Sequence, residues 1–184
     1  MQQAVRSARM PSPYAVGRDF CRIFVEEMDE LYVLSLLLTA NPEKAQGCFV
    51  AALEDCSKAT AVFKNWARPW ARRTVVQNAI AAMQPQRPEA PVSAFRQVQD
   101  SAPTLPDNAT PLPALLSLDT FERFVFVLSV LERYSDHECR ALLNCSRIDV
   151  IEARTRAFVQ IGRWRSTVPQ AIATGPDEVF AQAS

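Results

Sequence analysis

The sequence predicts an all-α protein built from two small helical modules joined by a proline-rich linker, the second module a helix-turn-helix. Three observations carry this expectation. Apolar residues recur at three- and four-residue spacing in several stretches, helix-capping residues stand at the starts of those stretches, and prolines crowd one central segment.

The first periodic segment covers residues 20–38, where Phe20, Ile23, Phe24, Met28, Leu31, Tyr32, Leu34, Leu37 and Leu38 share a helical face. One long amphipathic helix is expected there, ending before Asn41-Pro42. Asn41 then caps a second helix, with Pro42 at its first position, where a missing N–H costs nothing. Glu43 lies in the first turn of that helix, and Ala45, Cys48, Phe49, Ala52, Leu53 and Cys56 supply its buried stripe. A short turn over residues 59–65 and a fourth helix from Pro69 to Met83 complete the first module, residues 14–83. Residues ahead of it, with Arg6 and Arg9, are expected to fray.

Between residues 84 and 113 stand Pro85, Pro88, Pro91, Pro103, Pro106, Pro111 and Pro113. Such a density forbids a continuous helix and favours an extended tether, broken at most by a helical turn over residues 93–98. The second module is expected over residues 114–168, and residues 169–184 are too polar and too short to add a core. Within it, Ser135 caps a short helix over 136–143 with Glu138 closing a capping box. A break at Asn144-Cys145-Ser146 follows, and Ser146 caps a longer helix from Arg147. Leu142, Leu143, Ile148, Val150, Ile151 and Ala157 are expected to hold both helices against the preceding segment 124–131. Arg147, Asp149, Glu152, Arg154 and Arg156 are left for the outer face, a polar set able to meet base edges and phosphates in a major groove.

Composition bounds the function. The formal net charge is +0, with hydrophobic residues at 48% and charged residues at 22%, the profile of a globular chain. A neutral whole argues against indiscriminate nucleic-acid binding, which depends on neutralising phosphates. The charge is uneven, however: acids dominate residues 18–55, whereas residues 58–73 hold only the bases Lys58, Lys64, Arg68, Arg72 and Arg73. That asymmetry fits a protein touching both a protein and a nucleic acid, or simply two solvated helix faces. Cys21, Cys48, Cys56, Cys139 and Cys145 have no paired spacing and no signal peptide before them, so reduced thiols in a cytoplasmic protein are expected. With His137 the only histidine and no C-x-x-C anchor, neither a metal nor another cofactor is expected. The longest apolar stretch, 31–40, is about half of what crosses a bilayer. No membrane association is expected. No glycine-rich phosphate loop is present, and one histidine offers little acid–base chemistry, so the chain does not read as an enzyme.

The second module carries Leu118, Glu122-Arg123, Val125-Phe126-Val127-Leu128, Arg133-Tyr134-Ser135, Glu138-Cys139-Arg140-Ala141-Leu142-Leu143, and Ser146 with Val150. In that order they resemble the promoter-reading module of a family, the small extracytoplasmic-function class of bacterial RNA polymerase sigma factors. The first module carries Leu31-Tyr32 and Leu38-Thr39-Ala40-Asn41-Pro42-Glu43-Lys44-Ala45, similar to the family's Leu-Tyr and Leu-Thr-Gly-Asn-Pro-Glu-Asp-Ala. Trp70 resembles the tryptophan of its promoter-melting helix.

The resemblance implies a transcription initiation protein that binds RNA polymerase core and reads a promoter element. Ser146, Arg147, Asp149, Val150, Glu152, Arg154 and Arg156 would then meet DNA, with Arg72 and Arg73 as further phosphate contacts. Leu31, Tyr32, Glu43, Gln46 and Val50 would meet polymerase, and an anti-sigma-type regulator is implied as a partner. Gly47, Val50 and Ala51 stand where the family places Asp and Gln-Glu, removing acceptors for basic partners. Two alternatives remain: a degenerate relative acting through protein contact, and a stand-alone DNA-binding regulator. Phe63, Trp66 and Trp70 could stack on unpaired bases. Aromatics at helical spacing are more often core, and that is the expectation here.

Overall fold

The computed structural model describes residues 12–86 and 112–167, with side chains to residue 163. The regular elements among them are helices: α1 (Gly17–Glu26), α2 (Met28–Thr39), α3 (Pro42–Lys58), a 3-10 turn (Lys64–Trp66) and α4 (Ala67–Met83) in the first half. The second half has α5 (Leu112–Leu116), α6 (Thr120–Phe126) continuing into a π turn (Val127–Leu131), α7 (Asp136–Leu143) and α8 (Arg147–Thr167). The protein is all-α, and an isolated antiparallel bridge pairs Tyr14 with Phe63. The expected helical turn at 93–98 and the tail at 169–184 lie outside the described residues, as does most of the linker. The second half is helical from Leu112, two residues ahead of the expected boundary.

The single long helix expected over residues 20–38 is two helices. Glu27, with φ −112 and ψ 24, separates α1 from α2. The cause lies in the apolar pattern: Phe20, Ile23 and Phe24 point inward from α1 and Leu31, Leu34 and Leu38 from α2, whereas Val25 and Met28 between them are exposed. A straight helix could not bury both stripes against α3 and α4, so the chain bends where Glu26-Glu27 interrupts them. α2 stops at Ala40, which takes a left-handed conformation with φ 51. Asn41 then caps α3 as expected, its side chain accepting from the Lys44 N–H at 2.9 Å. α4 starts at Ala67 rather than Pro69, which places the proline in the first turn, where its absent N–H has no intrahelical partner to lose.

The two halves share one apolar cluster: Phe20, Leu31, Leu38 and Val75 belong to it with Phe121, Phe124, Leu128 and Val150. Complete burial of side chains this large stabilises the fold by about 2 kcal/mol each. A buried guanidinium pins the seam. Arg123 donates from Nε to the Leu38 carbonyl at 3.1 Å and from Nη1 to the Leu118 carbonyl at 2.9 Å. The Leu38 carbonyl is one of the last of α2 and has no partner inside its own helix, so the cation fills a need that the helix end creates. Burial lowers the Arg123 pKa from its ordinary value, but carbonyl acceptors keep the charge satisfied. At the rim Arg72 makes a two-point contact with Glu132, at 2.7 and 3.1 Å.

Candidate nucleic-acid interface

α7 and α8 meet across a turn that three local devices define. The Ser135 N–H donates to Glu138 Oε2 at 2.8 Å and the Glu138 N–H returns to Ser135 Oγ at 3.3 Å, closing the expected capping box. That backbone bond, with the Ser135 hydroxyl, holds the Glu138 carboxyl below its usual range. Asn144 ends α7 in a left-handed conformation, φ 49, which asparagine tolerates better than most residues. A second box then opens α8: the Ser146 N–H donates to Asp149 Oδ2 at 2.8 Å and the Asp149 N–H to Ser146 Oγ at 3.2 Å.

That second box corrects the reading of α8. Asp149 is 6% exposed and acts at the cap rather than on a groove-facing surface. Once Asp149 and its neighbour Val150 face inward, Ala153 and Ala157 follow at helical spacing, and all four are buried. Val150 is therefore a core residue, not a DNA contact. Ile148 and Ile151, expected to hold the helices together, face outward instead. The arginines of α8 are engaged. Arg154 Nη1 lies 2.8 Å from Asp136 Oδ1 and Arg147 Nε lies 3.5 Å from Asp136 Oδ2, which together hold the Asp136 carboxyl below its usual range, Arg154 contributing most. Arg156 Nε lies 2.6 Å from Glu122 Oε1 and its Nη1 lies 3.7 Å from Glu152. Glu122 is buried and also accepts from Gln160 at 3.1 Å. Of the residues assigned to DNA, Ser146, Arg147, Glu152 and Arg156 remain exposed, Arg154 partly so, and Asp149 and Val150 do not.

The first half holds the larger surprise. Trp66 is 67% exposed and Trp70 44%, and Phe63 is also exposed, so the expectation that these rings form core is overturned. The inward face of α4 is built from the small residues Ala67, Ala71, Thr74, Val75, Val76 and Ala79, which pack against α1, α2 and α3 and leave the indoles of Trp66 and Trp70 outside. Phe63 precedes the 3-10 turn in extended backbone, Trp66 closes that turn, and Trp70 and Arg73 lie one turn apart on α4. The Tyr14 and Phe63 rings lie 4.7 Å apart at 30°, extending the apolar surface sideways. Lys64 and Arg73 are exposed beside it.

The remaining bases have carboxylate partners in both halves. Arg68 pairs with Glu26 and Glu27, and Arg72 with Glu132 at 2.7 Å and Glu30 at 3.3 Å. Part of the uneven charge is thus an internal match between α4 and the α1–α2 bend, and through Glu132 Arg72 also joins the two halves. Among the polymerase candidates, Leu31 is buried and cannot meet a partner; Tyr32 is half-buried, and Glu43, Gln46 and Val50 are exposed. Gly47 is exposed too, and a Cβ there would meet nothing within 4 Å.

No cluster of three or more His, Cys, Asp or Glu residues suited to a metal occurs among the described residues. Burial pushes the Cys139 thiol up to about 11 and raises Cys48, Cys56 and Cys145 as well, which leaves them poor nucleophiles. No helix among the described residues is long and apolar enough to cross a membrane. No family model, curated protein or solved structure matches this chain.

Proposed function

We propose that this protein is a sigma-factor-like transcription initiation protein that binds RNA polymerase core and engages promoter DNA, without covalent chemistry. The observation that carries the reading is the solvent-facing set Phe63, Trp66, Trp70 and Arg73, which spans the 3-10 turn and the start of α4. Large exposed rings next to exposed cations suit stacking on unpaired bases with the phosphates neutralised alongside. The helix-turn-helix order of α7 and α8, with a capping box on each helix, supports the same reading. The polymerase side falls to Tyr32, Glu43, Gln46 and Val50 on α2 and α3. The test is promoter-directed transcription by core polymerase reconstituted with the purified chain. Initiation that is lost on Trp66→Ala supports the reading, and no initiation at any promoter library member contradicts it.

A second reading has its own observation. Arg147, Arg154 and Arg156 each have a carboxylate partner, which lowers their value for phosphates and favours a sigma-like protein acting through protein contact. An anti-sigma-type regulator belongs with either reading. Cross-linking of core polymerase to α3 without any promoter-dependent transcript would favour this second reading.

A further inference from the structure

α8 carries an outward apolar row that stays solvent-exposed over most of its length, with only Phe158 touching a ring of α6. Ile148 is 66% exposed and Phe158 51%, and Ile151, Thr155, Val159 and Gly162 are exposed with them. Positions 148, 151, 155, 158 and 162 alternate in steps of three and four, the period with which two helices lie along one another. Arg147 and Arg154 flank this seam on one side and Glu152 on the other.

We propose that the outer face of α8 is the interface of a homodimer in which two copies of α8 lie parallel and in register. The occupant is chosen by charge. In a parallel pair the flank position of one helix faces the opposite flank five residues on, which sets Arg147 of one copy against Glu152 of the other, twice by symmetry. An antiparallel pair brings the arginine flanks of both copies together and is disfavoured. Both side chains are available for exchange: that of Arg147 is 71% exposed and 3.5 Å from Asp136, and that of Glu152 is 53% exposed and 3.7 Å from Arg156. Phe158 is already oriented by edge-to-face contact with Phe126, at 5.3 Å and 71°. Dimerisation covers the face that groove insertion would use, so self-association competes with DNA for α8. The inference does not depend on which of the two functional readings holds.

The test is sedimentation equilibrium of the full chain up to about 100 μM, a concentration suited to a small interface. The wild-type chain is expected to approach twice its monomer mass. Ile148→Glu, at an exposed position, is expected to remain monomeric with unchanged helix content. Arg147→Glu and Glu152→Arg are each expected to weaken association at least about tenfold, and an equimolar mixture of the two to restore it, because each chain then offers the charge the other lacks. A wild-type chain that stays monomeric, a dimer indifferent to Ile148→Glu, or a mixture no tighter than its components overturns the proposal.

Discussion

The start of α4 and the outer side of α8 are both solvent-facing and apolar, yet their surroundings differ. On α4 the exposed groups are aromatic rings, with Lys64 and Arg73 exposed beside them. On α8 most are aliphatic, and the neighbouring arginines point at Asp136 and Glu122. Flat rings beside cations suit bases and phosphates, whereas branched aliphatic groups between matched charges suit another helix. A helix-turn-helix order therefore does not by itself make the second helix a recognition surface. What fixes its outward face is the phase set by the cap, and here the Ser146–Asp149 box turns Ile148 and Ile151 outward.

The comparison holds only while both faces ride on one body, and Arg123 is its most sensitive point. Arg123→Met leaves the Leu38 and Leu118 carbonyls unpaired in the core and is expected to cost about 3 kcal/mol. Urea unfolding followed by tryptophan fluorescence and by circular dichroism reads that loss. A change under about 1 kcal/mol would mean that the two halves are joined by other contacts.

Removing one ring sharpens the contrast directly. Trp66→Ala is expected to weaken binding of a single-stranded oligonucleotide by about 2 kcal/mol, while leaving the melting temperature unchanged. Arg154→Ala is expected to leave that affinity unchanged, since its charge is already met by Asp136. Fluorescence anisotropy that gave the reverse order would exchange the roles of the two faces.

The cap that sets the phase of α8 is worth less. Ser146→Ala is expected to destabilise the protein by about 1 kcal/mol, and the loss should appear as faster amide exchange at the start of α8. Unaltered exchange there would remove the cap from the account of why Ile148 points outward.

Ala40 offers a gain in the other half. It ends α2 with φ 51, a conformation that glycine adopts without strain and alanine does not. Ala40→Gly is expected to stabilise the protein by about 0.5 kcal/mol, because relief of strain there exceeds the added freedom of the unfolded chain. A lower melting temperature would show that α2 gains its end from packing alone.

The smallest effect is a pH dependence confined to the second half. The carboxyls of Asp136 and Glu138 lie below their ordinary values of 3.8 and 4.5 in the folded state, the first chiefly through Arg154 and the second through the Ser135 N–H. A depressed carboxylate contributes stability above its unfolded value and loses it as pH falls through the folded one. Protection factors in α7, corrected for the slower intrinsic exchange at low pH, are therefore expected to fall from about pH 4.5 downward ahead of those in α3, whose Asn41 cap does not titrate. Simultaneous loosening of both helices would separate these carboxyls from the docking of α7.

Much of this fold was legible in the sequence, because its starting signals are local. The Asn41-Pro42 cap and the Ser135–Glu138 box depend on residues within one turn, and both occur as read. Facing was less legible, because it depends on neighbours distant in sequence. The bend at Glu27 follows from two apolar stripes that must reach the same core, and the outward tryptophans follow from the small side chains, Ala67 and Ala71 among them, that α4 buries against the other helices. The small residues alternating with Trp66 and Trp70 were the available signal for the latter. On α8 the capping role of Asp149 was available in its spacing from Ser146, three residues on, but its acidity suggested a surface position. The charge asymmetry did not show which charges meet, because pairs such as Arg68 with Glu26 and Glu27 form between segments the sequence keeps apart.

The most direct test of the proposed role is capture of bacterial core RNA polymerase by the full-length protein. It is run in parallel with a variant carrying Gly47→Asp, Val50→Gln and Ala51→Glu, the first of which meets no neighbour. The unaltered chain is expected to capture polymerase through α2 and α3, with the variant binding at least as well. Capture by the variant alone, or by neither, would contradict the proposed role and assign the protein to contacts that do not involve polymerase.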